Sequence, residues 1–212
     1  MKCTALSLFL LFISFIAAFA QDAGFKPMKD VAGFTSKFDA ASKKLTSINS
    51  DFVQEKHLSM MEADIKSNGK FKYKKDNKVR LEYTSPFQYL MVLNNGKMYI
   101  KDGNKVNKFD TNSNKMFRQI NDMMVSTLRG DVLHSKNYAV KYFENETHYL
   151  LELKPQEKAI KEMMQTIKIQ IDKKKLFVTT IQMMEPSGDY TKMIFQNITQ
   201  NAALNDSEFM VK

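Results

Sequence analysis

The 212-residue chain combines 43% hydrophobic residues with a formal net charge of +9, enough for an apolar core with a lysine-rich surface. Its only cysteine is Cys3, which excludes a disulfide framework and a thiolate nucleophile in the rest of the chain. The lysines are spread over alternating positions without an arginine cluster, which argues against nucleic acid as a partner. A solvated lysine face is one interpretation of this charge, and attraction to an acidic membrane surface or partner is the other.

The first twenty residues have the pattern of a secretory signal peptide. Lys2 supplies the positive charge, residues 6–17 are almost entirely apolar, and Ala18-Phe19-Ala20 is a small-x-small cleavage site. We therefore expect residues 1–20 to be a signal peptide and residues 21–212 to form a single domain. An uncleaved anchor helix is the alternative, which the short flanks disfavour.

A helix is predicted directly after the expected cleavage site and a short loop. Asp30 is a suitable N-cap, and apolar residues then recur at helical spacing at Val31, Phe34, Phe38, Ala41 and Leu45. A first long strand is predicted to start near Ile48 and to include Phe52.

The stretch from residue 65 to residue 109 predicts an antiparallel meander. Apolar and lysine residues alternate within each segment, and Asn95-Gly96 and Asp102-Gly103 are typical of tight hairpin turns. One face of this meander is apolar and the other is rich in lysine.

Helical spacing returns over residues 115–133, where Met123 and Met124 lie on the apolar face. Alternation then resumes from residue 138 to residue 197, and residues 202–209 are assigned as a last short strand. We predict an α+β fold in which about 10–11 antiparallel strands form a strongly curved sheet, an incomplete β-barrel, because a flat sheet of that size would curl. The α-helices are expected to form a lid over its concave face.

Nothing in the sequence favours catalysis. His57, His134 and His148 have no metal-ligand spacing, and there is no nucleophile elbow or phosphate-binding glycine loop. We expect no enzyme activity, no metal and no cofactor.

The methionines are more informative. The chain has 15 of them, and adjacent pairs start at Met60, Met123, Met163 and Met183. Thioethers fill irregular gaps in a core, and they also line adaptable pockets for ligands such as acyl chains. Both interpretations stay open here, although two adjacent residues of a strand cannot both face inward.

Several motifs in a fixed order resemble the outer-membrane lipoprotein carrier family (LolA-type). They are Phe52-x-Gln54-x-Lys56, Gly69-x-Phe71, Val79-Arg80-Leu81-Glu82-Tyr83 followed by Pro86, and Asn95-Gly96-Lys97-x-Tyr99-Ile100. The resemblance extends through the later strands and implies a monomeric periplasmic carrier. Such a carrier takes acylated lipoproteins from an inner-membrane ATP-binding-cassette release complex to an outer-membrane acceptor lipoprotein.

The resemblance also suggests site residues. The expected lipid-binding side chains are Phe52, Phe71, Leu81, Val92, Ile100, Met123, Met124 and Ile169. Arg80 and Lys75 are the candidates for a basic latch between the lid and the sheet, although the arginine-tryptophan pair common in the family is replaced here by Arg80-Leu81. A periplasmic lipid- or lipoprotein-sensing module is the competing function, and a structural envelope protein with a filled interior is a third.

Overall fold

The computed structural model describes residues 24–111, 113, 125–127 and 129–211. Its strands all belong to one antiparallel sheet with the order β1-β8-β9-β10-β11-β12-β2-β3-β4-β5-β6-β7. The strands are β1 (Lys26–Pro27), β2 (Ser47–His57), β3 (Ile65–Lys74), β4 (Lys78–Ser85), β5 (Tyr89–Asn94), β6 (Lys97–Asp102), β7 (Lys105–Asp110), β8 (Tyr138–Glu144), β9 (His148–Pro155), β10 (Thr166–Asp172), β11 (Val178–Met184) and β12 (Tyr190–Gln200).

The predicted fold class is confirmed. β12 pairs with β2, which joins the two halves of the chain, while β1 and β7 are the edges, so the described sheet is an incomplete barrel. It has twelve strands rather than 10–11, because Lys26–Pro27 pairs with β8 in a stretch that we expected to be a loop.

Helix α1 (Val31–Lys44) lies on the concave face over the β8–β11 half. Asp30 caps it as predicted, since its carboxylate accepts a hydrogen bond from the Gly33 N–H at 2.8 Å. Phe34 and Phe38 are buried in a cluster with the apolar residues of β9 and β10. Phe34 also packs on Tyr149, with ring centroids 4.5 Å apart. Sequence periodicity therefore identified both the helix and its buried face.

The second predicted helix, residues 115–133, lies mostly outside the described residues. Residues 125–127 are helical, and Val125 packs against the apolar cluster of β2–β6. Residues 131–134 form a 3₁₀ turn that starts after Gly130. A further single-turn helix, α2 (Lys158–Lys161), lies between β9 and β10. No described helix has the length and apolar character needed to span a membrane.

The C-terminal tail does not form the strand that we expected. Residues 201–211, called the strap below, run across the face opposite α1 and contain a 3₁₀ helix at Asp206–Phe209. Lysines on the outer face of β3 and β4 contact its acidic side chains: Lys72 pairs with Glu208, and Lys74 and Lys78 contact Asp206 at 2.7 and 2.8 Å. The tail is polar and acidic over this stretch, so ion pairs to the lysine face replace ladder pairing.

The ionic attachment of the strap to β3 and β4 is expected to weaken in acid. Hydrogen bonds from Lys74 and Lys78 lower the pKa of Asp206 to about 2, and the bond from Lys72 lowers the pKa of Glu208. A carboxylate whose pKa is lower in the folded state stabilises the fold above its unfolded pKa of roughly 4 and loses that effect as the pH falls through its folded pKa.

The double variant Asp206→Asn/Glu208→Gln should therefore melt below the wild type at pH 7, and the two melting temperatures should converge as the pH falls from about 4 to about 2. Thermal melts across that range measure this. Glu146→Gln, in the exposed β8–β9 turn, is the control and should match the wild type at pH 7. A gap between wild type and double variant that does not change with pH would contradict the strap's ionic attachment.

Candidate functional site

The strand register divides the sheet into an apolar concave face and a polar convex face. Phe71 pairs with Leu81, and Leu81 pairs with Met91, so these side chains lie on one side. Lys72 pairs with Arg80 on the other side. Partners in an antiparallel ladder point the same way, and this pattern continues through β6.

A close approach at Gly69 shapes the middle of the concave face. Gly69 pairs with Phe52 across β2–β3, and the ring of Phe52 lies over it. A Cβ at position 69 would stand 2.5 Å from that ring and 2.2 Å from the carbonyl oxygen of Glu82. Only glycine leaves room for the ring, which explains why the Gly69-x-Phe71 motif matters structurally.

Four of the predicted lipid-binding residues come together on the β2–β6 half of the concave face. Phe52, Phe71 and Leu81 are buried in one cluster, and Ile100 packs half-buried against it. Ile169 is buried in the other cluster, beneath α1. Phe195 packs against both clusters and connects them. Met123 and Met124 lie outside the described residues.

Val92 lies on the opposite face from the one expected. It pairs with Arg80 and Tyr99, so it shares the convex side with the lysines. It is nonetheless fully buried, because the strap contacts β4 and β5 there and the Asn94 amide donates to the Phe209 carbonyl at 3.1 Å. Val92 thus supports the strap rather than the concave surface.

A cavity of about 590 Å³ opens at one end of the concave face, between α2 and the β11–β12 turn. This end, where β2 and β11 finish and β3 and β12 begin, is called the mouth end below. The cavity volume falls in the range of roughly 300–1,000 Å³ common for small-molecule sites. It is lined by Glu162, Met163, Met164, Met183, Glu185, Pro186, Ser187 and Thr191.

None of the six described residues among the predicted lipid-binding set lines this cavity, but two of the methionine pairs do. Met183 pairs with Ile167 of the concave cluster and so points inward, whereas Met184 follows it and points outward. Met164 packs against the same cluster, and Met163 is partly exposed at the opening. The methionine pairs were the sequence signal for this site, whereas the juxtaposition of α2 with β11 required the fold.

The rings of Phe52 and Tyr83 pack together on the concave face and are called the aromatic floor below. Tyr83 packs edge-on against Phe52 at 5.1 Å and donates a hydrogen bond to Gln54 at 2.7 Å. Burial raises the pKa of Tyr83 to about 12, although a phenol at its ordinary pKa of about 10 is already uncharged at neutral pH. This part of the surface therefore suits an apolar ligand.

The two latch candidates have different surroundings. Arg80 contacts Glu82 at 2.9 Å and donates to the Glu208 carbonyl at 3.2 Å, so it holds the strap on the convex face. Lys75 is exposed in the β3–β4 turn. Arg129, which follows the described helical residues 125–127, donates a hydrogen bond to Asn77 in this turn at 3.3 Å. Arg129 was not among the predicted site residues.

Within the described ranges, no group of three or more His, Cys, Asp or Glu side chains could hold a metal ion. A small polar cluster, His57–Asp64–Tyr190, lies at the mouth end. His57 contacts Asp64 at 2.8 Å, and the Tyr190 hydroxyl donates to the same carboxylate at 3.1 Å. These contacts tie the β2–β3 loop to β12.

Two solved structures with a TM-score of 0.50 support this fold. MucB, which is solved in complex with MucA from Pseudomonas aeruginosa, is 15% identical with a TM-score of 0.50, and the match covers 87% of this chain and 64% of MucB. An uncharacterised conserved protein from Thermus thermophilus is 8% identical with a TM-score of 0.50, over 82% of this chain and 91% of that one. A LolA superfamily protein from Nitrosomonas europaea is 10% identical with a TM-score of 0.44, over 84% and 96%.

No curated protein sequence matches the chain significantly. The family described as outer membrane lipoprotein carrier protein LolA, in contrast, matches residues 43–212, which include every strand from β2 to β12 and the strap. The chain therefore belongs to the LolA family of outer membrane lipoprotein carrier proteins.

Proposed function

We propose that this protein is a periplasmic carrier that binds the acyl chains of lipoproteins and moves them from the inner to the outer membrane. The observation that carries this proposal is the methionine-lined cavity at the mouth end of an apolar concave face. Methionine side chains adapt to flexible ligands. The aromatic residues Phe52 and Tyr83, in the other apolar cluster of the same face, are uncharged. Family membership supports the same class of function.

Free energy explains why such a carrier is needed. Each buried methylene contributes about 0.8 kcal/mol, so a chain of roughly sixteen carbons disfavours water by on the order of 10 kcal/mol. A carrier must offer a comparable apolar surface and then release the chain. A cavity that is open at one end, with partly exposed Met163 at the opening, allows both entry and release.

The proposal includes the route. Cleavage after Ala20 would release residues 21–212 into the periplasm as one lipoprotein-carrier domain. The cargo would arrive from an inner-membrane ATP-binding-cassette release complex and leave to an outer-membrane acceptor lipoprotein. The chain would work as a monomer, without a cofactor and without catalysis.

Two measurements test this function in sequence. Organic extraction of the purified protein followed by mass spectrometry, together with uptake of a fluorescent C16 fatty acid, should reveal bound acyl lipid. If neither bound lipid nor uptake of the fatty acid is detected, acyl binding is contradicted and a structural role is favoured. The second measurement asks whether the protein removes a triacylated lipoprotein from inner-membrane vesicles. Uptake of the fatty acid without removal of the lipoprotein would favour a sensing module over a carrier.

A further inference from the structure

Exposed apolar side chains are concentrated at the mouth end. Among the described residues, large apolar side chains are exposed there at Met60 (88%), Met61, Ile65, Phe87 (78%), Val106 and Met163. We call this set the apolar rim. Met210 in the strap is also exposed, at 61%, but lies on the convex face. Exposed apolar residues are normal when scattered, whereas their concentration at one end marks an interaction surface.

The strand directions place the rim residues at one end. The 58–64 loop joins β2 to β3, the 86–88 loop joins β4 to β5, and β7 begins after the 103–104 turn. In the antiparallel ladder, Tyr190 at the start of β12 pairs with His57, and Tyr89 pairs with both Tyr83 and Asp102. The loops that carry the rim therefore lie at the same end of the sheet as the cavity opening, and the 58–64 loop is next to the β11–β12 turn.

The loop with the most exposed rim residue is held in place. The Ser59 N–H donates to the Asp189 carboxylate at 2.7 Å, and His57 stacks on Tyr190 with ring centroids 5.0 Å apart. The Asp64 carboxylate, at the other end of the loop, contacts both His57 and Tyr190. Met60 thus projects from an anchored loop, next to the β11–β12 turn that lines the cavity.

The charges around the rim indicate the kind of partner. Exposed lysines at this end are Lys66, Lys105, Lys136, Lys158 and Lys161, and the exposed carboxylates are Glu62, Asp64, Asp102 and Glu162. Asp64 is engaged by His57, and Glu185 and Asp189 are engaged by Lys56 and the Ser59 N–H. Lys66 contacts Glu55 at 3.4 Å. Lys105, Lys136, Lys158 and Lys161 then stand against Glu62, Asp102 and Glu162, which is an excess of one positive charge. Apolar tips from separate loops with lysines beside them suit the interface of an anionic lipid bilayer.

We propose that the apolar rim docks on the surface of an anionic bilayer and turns the cavity opening toward the lipid. This inference rests on the proposed acyl-binding function, because the cavity then receives or releases the chain at the membrane. Met60 and Phe87 insert among the lipids, and the lysines beside the rim contact the phosphates. An acyl chain that passes between the cavity and the release complex or the acceptor in that membrane is then shielded from water.

The test is flotation of the mature chain with vesicles of phosphatidylcholine and phosphatidylglycerol at 3:1 or of phosphatidylcholine alone. The wild type should float with the anionic vesicles, more weakly with the neutral ones, and more weakly at high salt. Met60→Asp/Phe87→Asp should lower the bound fraction at least roughly tenfold, because two apolar insertions are lost. Met210→Asp is the matched control and should float like the wild type.

Absence of the wild type from the floated fraction would overturn the proposal, as would an equal loss for Met210→Asp and the rim variant. Uptake of a fluorescent C16 fatty acid without vesicles separates the two proposals. Neither Met60 nor Phe87 lines the cavity, so the rim variant should retain that uptake. Failure of the wild type to take up the fatty acid would instead count against the proposed function, whatever the flotation result.

Discussion

Replacement of Gly69 by alanine is expected to destabilise the protein by about 2–3 kcal/mol, as overpacking at a tight site does. The added methyl group would stand 2.2 Å from the Glu82 carbonyl oxygen and 2.5 Å from the Phe52 ring. The Phe52 ring is buried and packs on Tyr83, so it cannot move aside without disturbing the aromatic floor. The carbonyl belongs to the β3–β4 ladder, which shifts register next to Gly69.

Urea unfolding and thermal melts measure this effect, which should lower the melting temperature by roughly 4–12 °C for a protein of this size. Ser67→Ala is the matched control, because Ser67 lies on the same strand and the same face and is not buried. Its stability should stay within about 0.5 kcal/mol of the wild type. A Gly69→Ala variant as stable as Ser67→Ala would show that the floor of the concave face is not tightly packed.

Substitution of Met183 by aspartate should weaken acyl binding by about 100-fold or more, because an unpaired carboxylate would then face an apolar ligand. Met183 points inward and lines the cavity, with Met164 beside it. The next residue, Met184, is also partly exposed but points to the convex face. Met184→Asp therefore adds the same charge one residue away without entering the cavity.

The measurement is a fluorescent fatty-acid titration of both variants, with circular dichroism to confirm that each is folded. Met184→Asp should bind within about twofold of the wild type, since surface changes of this kind have small effects. Equal losses in the two variants would indicate a general disturbance of the sheet. An unchanged affinity in Met183→Asp would place acyl binding elsewhere on the concave face.

Alternation predicted much of the sheet and failed where both faces of a strand are apolar. In β3, lysines alternate with Phe71 and Tyr73, so the sequence alone assigned each face correctly. In β5, the run from Tyr89 to Leu93 is apolar throughout, so periodicity offered no way to place Val92. Val92 is buried by the strap, which lies about a hundred residues later in the chain and packs on the convex face.

Contacts between segments that are distant in the chain could not be predicted from the sequence. The lysines of β3 fitted a solvated face in the sequence, yet Lys72 is paired with Glu208 of the strap, 136 residues away. The sequence left the methionine pairs at 163 and 183 open to two interpretations, core filling and an adaptable pocket. Only the pairing of β10 with β11 and the position of α2 bring them around one cavity. Met123 and Met124, which we also expected to bind lipid, lie outside the described residues.

The most direct test of acyl binding on the concave face is methyl NMR of protein labelled with ¹³C at the methionine methyl groups, with each signal assigned by single Met→Leu substitution. A fatty acid that carries a spin label at its terminal carbon is added, and line broadening is read at each methionine. Broadening should be strongest at Met163, Met164 and Met183, smaller at Met184, and weakest at Met210. Uniform broadening, or broadening centred on Met184 or Met210, would contradict an acyl site in this cavity.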